Sequence, residues 1–459
     1  MNSALTKFLA LLLTFTMCVS LNLSAAETPS AFNTNQAARL LAEAFEIIAE
    51  HYINELDIQL LFSAALSGMS GLMDEHSYFM TPDEAEYFSD TLSARRLLFG
   101  IVLSIDSGGN IIVADVLEDS SAYHSGILPG DAFVSLDGEF LRGTAIPDII
   151  HRLTLIDPNI SVKAEFMRDG EIFIIDLLRT EFPNPSVFTF ELDELLEGAL
   201  PDYGLRLIHI DFVGDNTGIE LQNAIDTLRA DGTERIILDL RGNGGGLFDV
   251  ALDICRMLVA RGPVFMMRDR SGVLTSYHSS LASPPFADVV VLIDRATASA
   301  GEIIAAALQY RGATVIGERS FGKSSMQYVL DLGLGHLRLT THEILGPNGA
   351  RIDGVGIAPD IEVVLPELIE FSYNTENIAA VKNLLNHLGY FDGPINESFD
   401  EAVKESIRNF RNSSGLAEGE NIDIELIAAL NATALRLFSG RDLVLERAYE
   451  YINAGQRCR

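Results

Sequence analysis

A serine in one short segment of the sequence lies where a nucleophile could act. Residues 297–302 read Thr-Ala-Ser-Ala-Gly-Glu and separate an apolar strand-like run from a helix-like segment. A serine at such a turn, here Ser299, places its Oγ at the carboxyl end of a sheet. There the N–H groups of the helix N-terminus can stabilise a developing oxyanion. Taken alone, a serine at this position is more often a plain helix N-cap.

A lysine in a second segment could supply the base that such a serine needs. Residues 321–327 read Phe-Gly-Lys-Ser-Ser-Met-Gln, and neither this segment nor the first contains a histidine. Lys323 could accept the serine proton if burial lowers its pKa from about 10.4 to about 7–8. Gln327 lies four residues further on the same side of the chain and could orient the amine without adding charge. The alternative is a surface lysine beside a surface glutamine.

A glycine-rich segment, residues 239–246, follows another apolar strand-like run. Its glycines let the backbone approach a ligand and turn N–H groups toward it, although a tight turn without function is the alternative. Its spacing does not match the dinucleotide-binding pattern G-x-G-x-x-G. Residues 317–324 match the phosphate-loop pattern, but a strand is predicted at 326–332, where a phosphate loop would begin a helix. We therefore treat that match as chance.

The elements that must position these segments follow from the hydrophobic periodicity. Residues 35–92 predict helices, and residues 93–180 predict short strands separated by turns. From 181 to 365, apolar strands alternate with helices, which is typical of βα units around a buried sheet. Residues 374–436 return to helical periodicity, and residues 437–459 predict one more helix and a polar end.

The composition excludes several function classes. The chain has 459 residues, of which 48% are apolar and 21% charged, as in ordinary globular proteins. Its 32 Lys and Arg face 65 Asp and Glu, so the formal net charge is −33. Such a chain lacks the excess of cations that binding to nucleic acid or to anionic lipid requires. We therefore expect no nucleic-acid partner.

The first 26 residues predict a secretory signal peptide. Lys7 precedes an apolar stretch at 8–23, and small residues at 24–26 offer a cleavage site. An uncleaved anchor is the alternative, although a membrane span needs about 20 apolar residues. Cleavage would leave Cys255 and Cys458, too few for a disulfide framework, and Cys255 is expected to be a buried thiol. No residue cluster has the spacing of zinc ligands.

Taken in order, these segments resemble the C-terminal processing peptidases, or tail-specific proteases, a family of secreted or periplasmic serine proteases. The resemblance runs from about residue 35 to residue 365. It is carried by a helical signature at 68–77 and by core motifs at 239–246, 297–302, 321–327 and 354–360. It implies a crotonase-like α/β core that hydrolyses peptide bonds near protein C-termini without metal or ATP. No cofactor is therefore expected.

The resemblance also implies roles for particular residues. Ser299 corresponds to the nucleophile of the family, Lys323 to its general base and Gln327 to the residue that orients this lysine. The backbone N–H groups of Ala300 and of one loop glycine correspond to the oxyanion hole, and we favour Gly245. The chain departs from the family pattern at Ser324, where glycine is usual. Serine there would add strain if the position requires a positive φ.

Residues 93–180 resemble the PDZ domain of the same family. The implied peptide-binding loop is Gly100, Ile101, Val102 and Leu103, with valine at 102 where a second glycine is usual. A bound peptide would add as a strand to the sheet edge, and backbone N–H groups would bind its terminal carboxylate. The helical signature departs only in having Glu75 in place of proline.

Residues 374–436 resemble a small three-helix peptidoglycan-binding module, although a helical appendage that binds nothing is the alternative. The predicted fold is thus multidomain α/β, with a crotonase-like protease core, an inserted β-rich PDZ domain, an N-terminal helical region and a C-terminal three-helix module. The predicted bounds are 1–26 for the signal peptide, 27–92 for the helical region, 93–180 for the PDZ domain, 181–365 for the core, 374–436 for the module and 437–459 for the tail.

The predicted function is that of an exported endopeptidase in the periplasm or cell envelope. It would cleave proteins near their C-termini after its PDZ domain recognises free apolar tails. Expected partners are such protein substrates, peptidoglycan, and an adaptor or second copy of the chain that aligns the site. The alternative is an envelope scaffold that binds tails and peptidoglycan and is non-catalytic or active only with an adaptor.

Overall fold

The computed structural model describes residues 33–106, 108–154, 156–157, 159–196, 205–369 and 378–456. The predicted signal peptide and Cys458 lie outside these residues. Chain contacts divide the protein into one compact unit that ends at Met69 and a second that begins at Ser70. Within the described ranges, no helix is both long and apolar enough to cross a lipid bilayer.

The N-terminal region is helical, as the sequence predicts, with one short strand. Its elements are α1 (Thr34–His51), α2 (Ile58–Ser70), β1 (Tyr78–Met80) and α3 (Pro82–Leu92). Thr81 caps α3, because its hydroxyl accepts the Glu84 N–H while the Glu84 carboxylate accepts the N–H of Thr81. Pro82 at the first helical position has a backbone preset for this start. Residues close together in sequence therefore explain where α3 begins.

The region after α3 is rich in strands. Its elements are β2 (Arg95–Leu98), β3 (Ile101–Ile105), β4 (Ile111–Val116), α4 (Ser121–His124), β5 (Ala132–Leu136), β6 (Glu139–Phe140), α5 (Ile146–Thr154), β7 (Val162–Arg168), β8 (Glu171–Leu177) and β9 (Thr180–Pro183). The main sheet has the order β3-β4-β5-β7-β8, so β3 is an edge strand. Phe133 and Phe166 stack in its core with ring centroids 4.7 Å apart. At the two ends of the region, β2 and β9 pair antiparallel.

Two sheets and the helices between their strands form the largest part of the protein. The elements are β10 (Val187–Glu191), α6 (Leu192–Leu195), β11 (Leu205–Ile210), α7 (Thr217–Ala230), β12 (Arg235–Asp239), α8 (Phe248–Leu258), β13 (Gly262–Asp269), β14 (Leu274–Ser279), β15 (Asp288–Ile293), α9 (Ala300–Tyr310), β16 (Thr314–Gly317), β17 (Ser325–Asp331), β18 (His336–Leu345) and β19 (Ile361–Glu362). One sheet has the order β10-β11-β12-β15-β16-β19 and is parallel from β11 onward. The other is antiparallel and joins β1, β18, β13 and β14, with β17 on β18.

Four helices complete the chain: α10 (Ile378–His387), α11 (Glu401–Ser413), α12 (Ile424–Phe438) and α13 (Leu443–Gln456). The first three share an apolar core of their own, which includes Leu384, Ile407 and Leu430. Helix α13 instead packs on the parallel sheet, with Leu445 and Ala448 in one apolar cluster with residues of β12, β15 and β16. The other face of that sheet is covered by α7, α8 and α9. The sheet is therefore buried on both faces, which explains its continuous apolar strands.

Candidate active site

Ser299 lies in the turn between β15 and α9. Its φ is +53°, a conformation that residues with a side chain seldom adopt and that costs about 1–3 kcal/mol. Its backbone N–H donates to Oε2 of Glu302 at 3.0 Å. A strained turn from a strand into a helix exposes the serine Oγ at the edge of the sheet in the nucleophile elbows of α/β-hydrolases. Ser299 therefore combines a positive φ with a position between a strand and a helix.

The glycine-rich segment approaches Ser299 from the neighbouring strand. Because β12 and β15 are adjacent and parallel, the loops that follow them meet at the same edge of the sheet. Gly245 has a φ of +104°, and a Cβ there would lie 2.6 Å from the Cβ of Ser299. Any side chain at 245 would therefore collide with the serine, so the close approach requires glycine. The two predicted motifs are thus brought together.

The N–H groups beside Ser299 differ in what they bind. The N–H of Ala300 has no hydrogen-bond partner among the described residues, and the residue is buried. The N–H of Gly245 donates to Oδ1 of Asn243 at 2.9 Å, so it is engaged within its own loop. Within the same described residues, the N–H of Gly244 has no partner. Among the described residues, the N–H groups of Ala300 and Gly244 are thus without a partner, whereas the N–H of the favoured Gly245 is engaged with Asn243.

Lys323 lies half-buried just before β17. Burial lowers the pKa of its amine below the ordinary value of 10.5, and the nearby charge of Arg338 lowers it further. The carboxylates of Glu302 and Asp74 act in the opposite direction but do not reverse the shift. Its Nζ donates to Oε1 of Gln327 at 3.4 Å. Among the described residues no hydrogen bond joins Nζ to the Oγ of Ser299, although both side chains line one cleft of about 550 Å³.

Gln327 is held in place on β17 by several hydrogen bonds. Its Nε2 donates to Oγ of Ser325 at 2.8 Å and to Oγ1 of Thr340 at 3.1 Å. Its Oε1 faces Lys323 and also accepts from the guanidinium of Arg338 at 3.3 Å. The side-chain amide therefore presents its oxygen to the lysine, as the sequence predicts. The contribution of Arg338 was not predicted, because a single arginine in a strand carries no local signal.

Glu302 is a second residue that the sequence reasoning missed. Its buried carboxylate accepts the backbone N–H groups of Ser299 (3.0 Å), Gly322 (2.7 Å) and Lys323 (2.8 Å), and the hydroxyl of Ser320. Burial raises its pKa, and these four hydrogen bonds oppose that rise. One side chain thus ties both segments of the site together. The signal was available, since serine followed three residues later by glutamate is the capping-box pattern.

Ser299, Lys323 and Gln327 line a cleft whose remaining wall is formed mostly by apolar side chains. The apolar side chains in its wall include Phe212, Leu247, Phe248, Ile303, Met326 and Ile344. A second cleft, of about 860 Å³, is lined by charged residues such as Arg268 and Glu343 but by neither Ser299 nor Lys323. The apolar cleft therefore is the candidate active site, and it suits an apolar side chain of a substrate next to the serine.

The strain considered for Ser324 does not arise. Its φ is not positive, and its buried hydroxyl donates to the carbonyl oxygen of Ile344 at 2.8 Å. Serine therefore replaces glycine without cost and ties β17 to β18. The segment 317–324 leads into β17 and not into a helix, so the phosphate-loop alternative is excluded by the structure.

The predicted peptide-binding loop lies at the start of the edge strand β3. Gly100 has a φ of +85°, and a Cβ there would lie 2.0 Å from the Cβ of Ser120. Ile101, Val102 and Leu103 belong to β3, which pairs only with β4 in the described part of the sheet. Val102 is 43% exposed, so a valine is accommodated on the outer side. One edge of β3 is thus without a strand partner in the described sheet.

Comparisons with known proteins identify two families and several relatives. The peptidase family S41 matches residues 205–363, which include Ser299, Lys323 and Gln327, and a peptidoglycan binding domain family matches residues 374–430. The carboxy-terminal processing protease CtpB of Bacillus subtilis is 28% identical over 86% of this chain and 85% of its own length.

Two further proteins resemble the chain. The carboxy-terminal-processing protease of Bartonella bacilliformis is 30% identical over 73% of this chain and 76% of its own length. A solved structure of the photosystem II D1 C-terminal processing protease aligns with 25% identity and a TM-score of 0.44, over 74% of this chain and 95% of that one.

Proposed function

Since the chain belongs to the carboxy-terminal processing proteases of peptidase family S41, which are serine proteases, we propose that it cleaves proteins near their C-termini with Ser299 as nucleophile and Lys323 as general base. The family resemblance drawn from the sequence is confirmed by these matches, and so is the peptidoglycan-binding domain at the C-terminal side. The residue roles below are our proposal.

One observation carries the assignment: a serine at a positive-φ turn and a half-buried lysine with a lowered pKa line the same cleft. A neutral amine is a competent acceptor for a hydroxyl proton, whereas an ammonium group is not. The serine and the lysine do not share a hydrogen bond here, and such bonds often tighten only when substrate is bound.

The reaction then proceeds in two halves. Neutral Lys323 takes the proton of Ser299 Oγ as the oxygen attacks the scissile carbonyl, and the N–H groups of Ala300 and of a loop glycine stabilise the oxyanion. The N–H of Gly244 has no partner among the described residues, and the N–H of Gly245 would donate once released by Asn243. The lysine next gives its proton to the leaving amine. The amine of Lys323, again neutral, finally activates a water molecule that hydrolyses the acyl-enzyme.

We further propose that the strand-rich region is a PDZ domain that holds the substrate tail. The support is the edge of β3, after Gly100, to which none of the described strands pairs, since extended peptides bind by adding a strand to such an edge. The apolar wall of the catalytic cleft favours substrates with apolar residues near the cut. The parallel sheet covered by α7, α8 and α9 supports a crotonase-like core.

The cell envelope is the proposed location. A peptidoglycan-binding domain is useful where peptidoglycan is present, and the first 26 residues predict export. An adaptor or a second copy of the chain is a further proposed partner, because it would supply the small movement that brings Lys323 to Ser299.

Two variants and one pair of peptides test this proposal. Purified Ser299→Ala and Lys323→Ala should lose cleavage of a peptide with a free apolar C-terminus, while Ser276→Ala and Lys163→Ala, which change exposed residues outside the cleft, should keep it. The same peptide with an amidated C-terminus should be cleaved more slowly, because it lacks the terminal carboxylate that the PDZ domain would bind. Full turnover by either of the first two variants would refute the assigned roles.

A further inference from the structure

We propose that Asp442, at the start of α13, is a positioning residue for catalysis that holds the oxyanion loop in place through Arg241. The helix that follows the peptidoglycan-binding domain would then be part of the protease machinery and not a separate tail. This inference rests on the proposed function, since it concerns the loop that faces Ser299.

The contact itself is a bridge between two carboxylates and one guanidinium. Nη1 and Nη2 of Arg241 donate to the two carboxylate oxygens of Asp442 at 2.8 and 2.7 Å. Nε and Nη2 donate to the two oxygens of Asp239 at 2.9 and 2.7 Å. Both carboxylates are therefore bound in the bidentate manner, which fixes direction as well as distance. Asp239 ends β12, and Asp442 precedes the first residue of α13.

The charges of this bridge depend on one another. Burial alone would favour loss of the Arg241 charge, but the hydrogen bonds that the guanidinium donates to the two carboxylates outweigh it and raise the pKa of the guanidinium. Burial alone would also raise the pKa of Asp442, and the bonds from Arg241 bring it below the ordinary value of 3.8. Removing the charge of Asp442 would leave the guanidinium, which is only 22% exposed, with one carboxylate in place of two. An arginine anchored on one side keeps more freedom to move.

Arg241 leads directly into the loop that faces the nucleophile. The next residues are Gly-Asn-Gly-Gly-Gly at 242–246, so four of the five positions have no side chain to hold them. Glycine backbone is conformationally permissive, so the position of this loop depends on its anchors. One anchor is Asn243, whose carbonyl accepts the N–H of Ala298 at 2.8 Å. On the other side the loop is held by the Gly242 N–H, which donates to Oδ1 of Asp294 at 3.0 Å, and by Arg241. Movement of Arg241 would displace the Gly244 N–H.

The peptidoglycan-binding domain lies in the sequence between Arg241 and its partner Asp442. The residues matched by the peptidoglycan binding family, 374–430, lie between β19 and α13, and both of these elements belong to the core sheet or pack on it. Leu445 and Ala448 of α13 are buried in that packing. The bridge from Arg241 to Asp442 spans 201 positions of sequence. The domain is thus inserted between two parts of the core, and the catalytic loop depends on the part that follows it.

The substitution Asp442→Asn isolates the contact with Arg241. Asp442 Oδ1 also accepts the N–H of Leu445 at 3.0 Å, and asparagine is as good as aspartate in this helix-capping role. The helix should therefore form as before, while one bidentate contact is lost. We expect kcat to fall about tenfold, the loss expected for one charge-assisted contact felt in the transition state. KM should stay within about twofold, because oxyanion contacts act on the transition state.

Glu446→Gln is the matched control. Glu446 lies on the same helix and pairs with Arg441, so its substitution also removes an acidic partner of an arginine, but not one that touches the loop. Its kcat and KM should equal those of the unmodified protein. A kcat for Asp442→Asn equal to that of the control, with both proteins folded, would overturn the proposal. An activity loss matched by loss of folded protein would also overturn it, since Asp442 would then be merely structural.

Amide hydrogen exchange separates this proposal from the proposed function. Asp442→Asn should speed exchange at the hydrogen-bonded amides of Gly242, Asn243 and Gly245, and Glu446→Gln should not. If the unmodified protein cleaves no peptide, the proposed function fails, yet the exchange experiment still tests the anchoring. Unchanged exchange at 242–246 in Asp442→Asn would overturn the positioning role even in an active enzyme.

Discussion

Replacing Glu302 by glutamine should both destabilise the protease core and reduce catalysis. Each oxygen of this buried carboxylate accepts two hydrogen bonds: Oε2 from the N–H groups of Ser299 and Lys323, and Oε1 from Gly322 and Ser320. Glutamine is nearly the same shape, but one of its two oxygens becomes an NH₂ group. Two donors would then lose their acceptor and face another donor.

The size of the effect follows from these contacts. A hydrogen bond to a charged group contributes about 1.5–3 kcal/mol, so two lost bonds amount to about 3–6 kcal/mol. A whole domain is stable by only about 5–15 kcal/mol, so the loss is a large part of the total. The same side chain sets the backbone positions of Ser299 and Lys323, and a displacement of about 1 Å in a catalytic group can cost about 10²-fold in rate. We expect a fall in kcat of that order.

Two measurements on the same samples test this expectation. Urea unfolding followed by circular dichroism gives the change in stability, because the chain has no tryptophan to report by fluorescence. Single-turnover cleavage of a peptide, scaled to the folded fraction, gives the chemical step. Glu220→Gln is the control, since Oε2 of Glu220 accepts the N–H groups of Ser186 (2.8 Å) and Val187 (3.2 Å) outside the site.

The control separates stability from catalysis. Glu220→Gln should also destabilise the core, but its folded fraction should cleave at the normal rate. Two results would refute the reasoning about Glu302: a stability within about 1 kcal/mol of the unmodified protein, or a kcat loss no larger than that of Glu220→Gln. In either case the carboxylate would not hold the two catalytic segments.

Two further predictions concern the lysine and the glycine loop. The folded protein disfavours the ammonium form of Lys323, so stability should rise with pH between its lowered pKa and the unfolded value near 10.5. Lys323→Met should therefore raise the free energy of unfolding at pH 7 by about 0.5–2 kcal/mol, and the melting temperature with it. This gain should vanish near pH 10.5. An unchanged melting temperature at pH 7 would contradict a dehydrated amine. Gly245→Ala should lower kcat by about 10²-fold, because its Cβ would meet Ser299 at 2.6 Å. Gly109→Ala has a similar positive φ in open space and should cost stability without changing kcat.

Local chemistry made much of the fold and part of the site predictable. The cap at Thr81, the strand at β17 and the helices α8 and α9 follow from residues close together in sequence. Ser299 and Lys323 were recognisable because each lies in a short segment of small and polar residues next to an apolar strand. Glu302 could have been added on the same grounds, from its capping-box spacing.

Tertiary packing alone decided the rest. The sequence by itself determined which segments carry a serine, a lysine and a glycine loop, and that strands and helices alternate around them. It did not determine that Arg338 lowers the pKa of Lys323, that Gly245 lies against Ser299, or that Asp442 binds Arg241. The physical reason is range, because backbone preferences and periodicity act over a few residues. Contacts between groups far apart in the sequence depend instead on how the strands pair and how the buried sheet is covered on both of its faces.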